Sequence, residues 1–542
     1  MDCGLPSPKR GGNGPRPVLN AHFRSDRYYP GTMFHVPLYI EALRSRPLIV
    51  FWLATLAQAI IWLTMPMLFY AAPPPELAQL LAIGHEFPLE GDYGPPLAYW
   101  LAEIAFRAAG LFGVYALSQA CVIATYWCVF VLGRAMVGAT HAAMAVLLMV
   151  GIFAFAVPSP NFGPPILAMA LWAAALLFYW RAVGEGRRQY WYLFAAAAAF
   201  LLITSDAALI LIGTLLLFTA LTTRGRLVVD SFEALIAAVV LIALGSVHLL
   251  LLHRAGVAAT PALERLRAAE AAEANTSAWL RLLGALVVAH AGLVVLVVLA
   301  GGLPRTPTRP APAIARAPIT PFAAIFVKTF ALVPALLTTI VTVLAGARAP
   351  IGGTAPLVVL SGLAVIVLAG NSIELYHQRV IGLAWAGLLA MPAIFVPIVI
   401  AVLPWTTATD LRVAQPAGAM GYFFADSFAR RTGHPLAIVG GDPRIAELIA
   451  VAAPSRPSVY FDAEPKLSPK ISAETIRDKG AVIVWPAADN DPAPPPQIKA
   501  HFPDLVPEVP HTFARPVRGR LPPLLIGWGV IRPANAPAAA AQ

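Results

Sequence analysis

The sequence predicts a polytopic α-helical membrane protein that carries a small α/β domain at its C-terminal end. The 542 residues are 58% hydrophobic and 12% charged, a composition that excludes an ordinary soluble protein. Apolar runs recur with a length of about 20 residues, which is the length needed to cross a bilayer core. After about residue 405 the runs become short and β-rich, and helical stretches alternate with them. This alternation predicts the α/β domain.

Three regions follow from this pattern. Residues 1–46 are rich in Gly, Pro and Arg and are expected to form a disordered basic tail. Residues 405–542 are expected to form the α/β domain. Residues 47–404 are expected to hold about eleven membrane spans, at roughly 48–71, 112–133, 139–157, 164–181, 190–204, 206–222, 233–252, 278–300, 322–345, 355–371 and 380–403.

The charges predict how the chain is oriented and what it does not bind. The net charge is +10, which on its own would suit a nucleic-acid partner. However, the arginines lie in the N-terminal tail and in short loops between alternate spans, as the positive-inside rule requires. We therefore expect a multi-pass membrane protein, in contact with membrane lipids and not with nucleic acid. Its N-terminus should be cytoplasmic and its C-terminal domain periplasmic.

The first outer loop, residues 72–111, is the most polar part of the membrane region. Two short helices are expected in it, at 73–86 and 95–110, lying along the outer leaflet. Glu103 and Arg107 are four residues apart in the second helix and should form an ion pair. Carboxylates at the mouth of a membrane helix commonly mark chemistry or transport. The loop gathers five acidic or imidazole side chains, Glu76, His85, Glu86, Glu90 and Asp92, beside the aromatic pair Tyr99-Trp100.

Two acids of this loop are the candidate catalytic residues. Glu76 should lie where the first span meets the outer surface, at the edge of low dielectric, where a carboxylate can act as a general base. The preference of acids for the first turn of a helix explains Glu76 equally well. Asp92 precedes Tyr93-Gly94-Pro95-Pro96 and is also explained as a turn residue. His85 could donate a hydrogen bond to an anionic group, or it could simply be solvated.

Two further polar positions are candidates for substrate binding. Residues 158–165, PSPNFGPP, separate the third and fourth spans on the same side as the first loop. Asn161 is therefore placed to line a shared cavity, although Pro and Gly also explain a rigid short loop. Asp206 is the acid between two apolar runs, and a buried membrane acid is costly enough to suggest a function.

The order of these parts resembles the GT-C glycosyltransferases. The similar branch is family 39, with the protein O-mannosyltransferases and the aminoarabinose transferase of lipid A. The stretch 91–110, GDYGPPLAYWLAEIAFRAAG, is similar to the family's segment with a Pro-Pro and an aromatic pair. The stretch 183–211 is similar to its arginine loop and its divided fifth and sixth spans. The resemblance covers about residues 48–400.

The resemblance implies a function for the chain. Family members take a sugar from a polyprenyl-phosphate carrier on the outer side of the membrane. An acid in the first loop activates the acceptor hydroxyl, and the anomeric carbon is inverted. The acceptor here would be an envelope lipid, lipopolysaccharide, polysaccharide or protein. No cofactor is implied, and a divalent metal is possible but not indicated.

The family's residues can be carried over position by position. The family's Asp-Glu pair corresponds to Pro75-Glu76, so only the glutamate is present here. The family's acid-basic-Pro-Pro element falls near Asp92, and Gly94 stands in the position of the basic residue. A lysine often found between the fifth and sixth spans corresponds to Ser205. Two positive groups expected to hold the donor phosphate are therefore missing. Tyr93, Tyr99 and Trp100 would stack on sugar or isoprenoid, and His85, Asn161 and Asp206 would also contact substrate.

Two other functions are compatible with the sequence. A lipid-linked sugar flippase or transporter would use a similar membrane region, but transporters commonly show internal repeats, and no clear repeat is found. A degenerate family member could bind a lipid-linked glycan without turnover, which would agree with the missing basic residues.

Overall fold

The computed structural model describes most of the chain beyond its N-terminal tail. The described residues are 38–89, 94–229, 231–254, 276–301, 313–344, 350–375, 378–461, 468, 470–489 and 491–534. Residues 1–37 of the predicted tail therefore lie outside them, whereas residues 38–45, which were expected to be disordered, form a helix.

The N-terminal three quarters of the described chain are helical. Apolar residues cover nearly every face of most of these helices, so an amphipathic pattern does not indicate which face packs against a neighbouring helix. Many large apolar side chains remain exposed on their outer faces. The helices are α1 (Leu38–Ser45), α2 (Pro47–Phe69), α3 (Pro75–Gly84), α4 (Leu97–Val137), α5 (Ala139–Met149), α6 (Pro164–Tyr179), α7 (Tyr190–Leu202), α8 (Ala208–Leu221), α9 (Thr223–Val229), α10 (Phe232–Arg254), α11 (Thr276–Ala289), α12 (Ala291–Gly301), α13 (Pro321–Leu344), α14 (Ser361–Leu368) and α15 (Gln378–Thr406).

Fewer of these helices than the predicted eleven spans are long enough to cross a bilayer. In the described ranges, five qualify: α2, α4, α6 with the π-turn that follows it, α13 and α15. Two bent pairs, α8 with α9 and α11 with α12, raise the number to seven if each pair is one span. Each predicted span overlaps a helix, but several of these helices, such as α5 and α7, are only 10–17 residues long.

The long helix α4 contains a break that separates the outer loop from a membrane span. Ala109 and Gly110 have non-helical backbone angles, and Gly110 has a φ of +59°, a conformation that glycine adopts without steric cost. Residues 97–108 therefore form a separate helix before the span that begins at about 111. The sequence predicts a helix at this position, and α3 packs against it as its partner.

The C-terminal residues form a mixed sheet with helices on it. The strand order is β4-β3-β5-β7-β6; β4, β3 and β5 are parallel, and β7 runs antiparallel to both β5 and β6. Strands β3 and β5 are almost wholly buried, as central parallel strands usually are. The elements are α16 (Ala417–Thr432), β3 (Ile438–Gly441), α17 (Pro443–Ala452), β4 (Ser458–Tyr460), α18 (Ala473–Lys479), β5 (Ala481–Pro486), α19 (Pro496–His501), β6 (Val506–Phe513) and β7 (Leu524–Ile531).

This sheet unit is attached directly to the first outer loop. The backbone N–H groups of Ala71 and Ala72 both donate to the carbonyl of Val413, at 2.8 and 3.1 Å. Helix α17 packs against α3. A small antiparallel ladder, β1 (Ala313–Ala315) with β2 (Ser372–Glu374), lies elsewhere in the helical part. The contacts of the sheet unit therefore fall on the helix that carries Glu76.

Glu447 makes the stability of the sheet unit dependent on pH. It lies on α17 with 6% of its surface exposed, and burial raises its pKa to about 7, partly opposed by Arg412. The unfolded chain releases this proton near a glutamate's usual pKa, so between about pH 4.5 and pH 7 the unfolded state binds fewer protons than the folded state. The folded state is therefore destabilised as the pH rises through this window, by about 3 kcal/mol at most.

We accordingly expect Glu447→Gln to raise the melting temperature of the detergent-solubilised protein at pH 8 and to change it little at pH 5. Thermal unfolding of wild type and variant at the two pH values, followed by tryptophan fluorescence, measures this. A matched control is Glu474→Gln, which makes the same change at an exposed position in the first turn of α18. An equal shift at both pH values would contradict the assignment to Glu447.

Candidate active site

An open cavity of about 470 Å³ lies between α3, the start of α4 and two loops of the helical region. It brings together the first outer loop and the loop 158–165, which the sequence places on the same side of the membrane. Residues of a third segment, 353–355, complete its wall. The lining residues are Glu76, Gln79, Leu80, Tyr99, Ala154, Pro158, Asn161, Phe162, Gly163, Pro164, Pro165, Ile166, Gly353, Thr354 and Ala355.

Glu76 is the acidic side chain of this wall. Helix α3 begins at Pro75, whose fixed φ suits the first helical position, and Glu76 follows in the first turn, where the helix dipole favours a carboxylate. The side chain is exposed, and its place at the edge of low dielectric stays a prediction. Among the described residues no side chain forms an ion pair with Glu76. Its carboxylate is therefore open to a molecule that enters the cavity.

Tyr99 also lines the cavity, from the first turn of α4, and is 8% exposed. Helices α3 and α4 approach closely at Gly84, where an added Cβ would lie 2.7 Å from the carbonyl oxygen of Tyr99. Only glycine permits this contact. The distance between the Glu76 wall and the Tyr99 wall therefore depends on a residue that lines neither of them.

Asn161 lies in a loop that is hydrogen-bonded to side chains of α4. Ser118 Oγ and Gln119 Nε2 donate to the carbonyl of Ser159 at 2.6 and 3.2 Å. The Oδ1 atom of Asn161 is buried, and within the described ranges it accepts no hydrogen bond. A buried amide oxygen without a partner costs about 1–3 kcal/mol, and a hydrogen bond to a bound hydroxyl or water would remove that cost.

Gly353 belongs to the third wall, which sequence reasoning missed, and Gly352 precedes it in the same turn. Both have positive φ, +75° and +81°. A Cβ on Gly352 would meet Ser205 Oγ at 2.5 Å, and one on Gly353 would meet the Cβ of Pro165 at 2.8 Å. The sequence signal is the Gly-Gly pair after Pro350, which marks a turn but does not indicate which loop it contacts.

His85 and Trp100 do not reach the cavity. His85 Nδ1 lies 3.1 Å from Glu103 Oε1, so its ring is held by an internal carboxylate. Trp100 Nε1 donates to the carbonyl of Pro88 at 2.7 Å. Both contacts lie within the outer loop, and the predicted contact of His85 and Trp100 with substrate stays a prediction.

Asp206 is exposed in the turn between α7 and α8, so the expectation of a buried membrane acid is wrong. The turn still lies near the cavity, because Ile203 accepts a hydrogen bond from the backbone N–H of Leu97 at 3.1 Å. Asp206 does not line the cavity. Two other predicted site residues, Asp92 and Tyr93, lie outside the described residues.

Glu103 is the centre of a buried charge cluster beside the cavity. It is 1% exposed and accepts from Arg107 Nε at 2.8 Å, as its spacing predicts, and from Arg456 Nη2 at 2.8 Å. Arg456 is 353 residues away in sequence, and no linear pattern indicates this contact.

The cavity wall is otherwise nearly uncharged. Among its described residues, Glu76 is charged and none is a lysine or an arginine, in agreement with the two missing basic groups. In the described part of the chain, no three His, Cys, Asp or Glu side chains are close enough to hold a metal ion.

Comparisons with known proteins find one sequence family and several solved structures that are similar to this chain. Residues 93–250 match the sequence model of the family described as dolichyl-phosphate-mannose-protein mannosyltransferase. No curated protein sequence matches the chain significantly.

Solved structures extend the similarity over most of the chain. ArnT from Cupriavidus metallidurans bound to undecaprenyl phosphate is 11% identical, with a TM-score of 0.55 over 91% of this chain and 99% of that one. The oligosaccharyltransferase AglB from Archaeoglobus fulgidus, in complex with an inhibitory peptide and a dolichol-phosphate, is 13% identical over 82% of this chain and 70% of that one. Its TM-score is 0.42. The ArnT match shows a shared fold.

Proposed function

The chain has the GT-C fold of the ArnT type and is a multi-pass membrane protein, and from this premise we propose that it is a glycosyltransferase. It moves a sugar from a polyprenyl-phosphate carrier to a hydroxyl group of an envelope lipid, polysaccharide or protein. The observation that carries the proposal is the cavity that Glu76, Tyr99 and Asn161 line together, with no ion-pair partner for Glu76 among the described residues. The reaction is assigned to the periplasmic side of a bacterial inner membrane, with the N-terminus cytoplasmic.

The proposed reaction is a single displacement. The carboxylate of Glu76 accepts the proton of the acceptor hydroxyl while the hydroxyl oxygen attacks the anomeric carbon from the face opposite the phosphate. The bond between the anomeric carbon and the phosphate oxygen breaks with its electron pair, and polyprenyl phosphate leaves. The configuration at the anomeric carbon is inverted, and Glu76 returns its proton to solvent. Its exposure at the cavity mouth suits that last step.

The other walls supply binding. The ring of Tyr99 offers a face on which a sugar or the first isoprene unit can stack. Asn161 Oδ1, buried without a described partner, accepts a hydrogen bond from a sugar hydroxyl. Asp92 and Tyr93 are assigned to the same site on sequence grounds, with Asp92 assisting the acceptor or donor. No cofactor is assigned.

A deletion strain tests this function. We expect mass spectrometry of its envelope glycolipids and polysaccharide to show the loss of one sugar substituent, restored by the wild-type gene. Unchanged glycans would contradict the proposal. Accumulation of the lipid-linked sugar on the cytoplasmic side, with the acceptor unmodified, would indicate a flippase instead.

One observation favours a second candidate, binding of a lipid-linked glycan without turnover. The described cavity wall has no lysine or arginine to hold the donor phosphate. In that case the purified protein would bind a polyprenyl-phosphate sugar but release no polyprenyl phosphate when an acceptor is added.

A further inference from the structure

Arg456 connects the C-terminal sheet unit to both helices that carry the cavity walls. Its Nη2 atom donates to Glu103 Oε2 on α4 at 2.8 Å and to the carbonyl of Leu81 on α3 at 3.4 Å. Its Nη1 atom donates to the carbonyl of Ala450 at the end of α17, at 3.3 Å. The guanidinium carbon lies 4.2 Å from the centre of the Phe106 ring. One side chain thus contacts α3, α4 and α17.

The position of Arg456 is unusual for a surface arginine. Its side chain is 16% exposed, and its backbone φ is +49°, in the left-handed region that non-glycine residues seldom adopt. Such a conformation persists only where the surrounding contacts impose it. The turn after α17 therefore holds the guanidinium against the membrane region.

The contacts of Arg456 lie one or two helical turns from the cavity. Glu103 follows Tyr99 by four residues on α4, and Leu81 follows Glu76 by five residues on α3. Because a helix transmits a displacement along its axis, a shift of either contact moves the cavity wall attached to it. The buried carboxylate of Glu103 also pairs with His85 and Arg107, which joins the whole outer loop to the same point.

We propose that Arg456 is a positioning residue: through Glu103 and Leu81 it sets the spacing of α3 and α4, and so the placement of Glu76 relative to Tyr99. This inference rests on the proposed function of the cavity. It gives the sheet unit a role in the reaction although none of its described residues lines the cavity.

Arg456→Lys is the informative variant, because it keeps the charge. A lysine ammonium lacks the planar fork that donates in several directions and stacks on an aromatic ring, so it can pair with Glu103 but cannot hold Leu81, Ala450 and Phe106 as well. Arg444→Lys is the matched control, since Arg444 is exposed on the same α17 helix.

The full-length purified protein is used for two measurements. Hydrogen–deuterium exchange should be faster in the peptides of α3 and residues 97–108 of Arg456→Lys, with other segments and the melting temperature close to wild type. The kcat for release of polyprenyl phosphate, normalised to folded protein, should fall about 10-fold or more, while Arg444→Lys behaves as wild type. Unchanged exchange in α3, or unchanged kcat beside faster exchange, would overturn the proposal. The exchange comparison needs no substrate, so it tests the effect of Arg456 on α3 and α4 independently of the proposed function. A wild type that transfers no sugar would refute the proposed function alone.

Discussion

Glu76→Gln is expected to lower kcat for sugar transfer by about 10²–10⁴-fold, the usual contribution of a general base. Glutamine keeps the size of the side chain but cannot accept the proton of the acceptor hydroxyl. Glu76 is exposed and has no ion-pair partner among the described residues, so the variant should fold. The rate of polyprenyl phosphate release from a synthetic donor by the purified chain measures the effect.

Glu86→Gln provides the control for this variant. It makes the same chemical change ten residues along the outer loop, at a side chain that does not line the cavity. We expect it to retain the wild-type rate. A Glu76→Gln rate equal to wild type would remove Glu76 as the base, and an equal loss in both variants would point to a general requirement for negative charge in the loop.

The second large effect is expected at Glu103. Glu103→Leu leaves Arg456, which is 16% exposed, without its carboxylate partner. Removing one member of a buried ion pair typically costs about 3–5 kcal/mol, because the remaining charge is uncompensated. Thermal or denaturant unfolding of the solubilised protein should show this loss, with the sheet unit separating from the outer loop at lower temperature.

The double variant Glu103→Leu/Arg456→Leu separates charge from packing. With both ions gone, apolar side chains fill the same interface, and such replacements are often neutral or stabilising. We expect most of the lost stability to return, while kcat stays low because the hydrogen bonds of Arg456 to α3 and α4 are missing. If the double variant is as unstable as Glu103→Leu, the uncompensated charge of Arg456 does not explain the loss of stability, and other contacts of the cluster are needed to account for it.

Local patterns in the sequence predicted the parts of this molecule that depend on short-range physics. Apolar run lengths located the helices, since a bilayer core requires long apolar segments. The i, i+4 spacing predicted the Glu103–Arg107 pair, which is observed at 2.8 Å. The fold resemblance to GT-C glycosyltransferases was confirmed by the match to ArnT. The predicted number of spans was not confirmed, because tertiary packing and not composition decides where helices bend and which helices are short.

Side-chain partners were predicted less well than segments. His85 and Trp100 were assigned to substrate because polar and aromatic residues in such a loop are available for binding. In the folded chain, His85 Nδ1 lies beside Glu103 and the Trp100 indole N–H donates to the carbonyl of Pro88, and neither residue lines the cavity. Asp206 was expected to be buried because apolar runs flank it, but a turn at the end of two helices exposes its side chain.

The sequence by itself determined that this is a membrane protein of helical spans with acids in its first outer loop, because hydropathy and charge act over neighbouring residues. Only the tertiary structure decided which of those acids lines a cavity, which is buried in an ion cluster, and which distant arginine pairs with it. The physical reason is that burial and ion pairing depend on which segments come together in the folded chain. Arg456 and Glu103 lie 2.8 Å apart although 353 residues separate them in sequence, and no local preference encodes that contact.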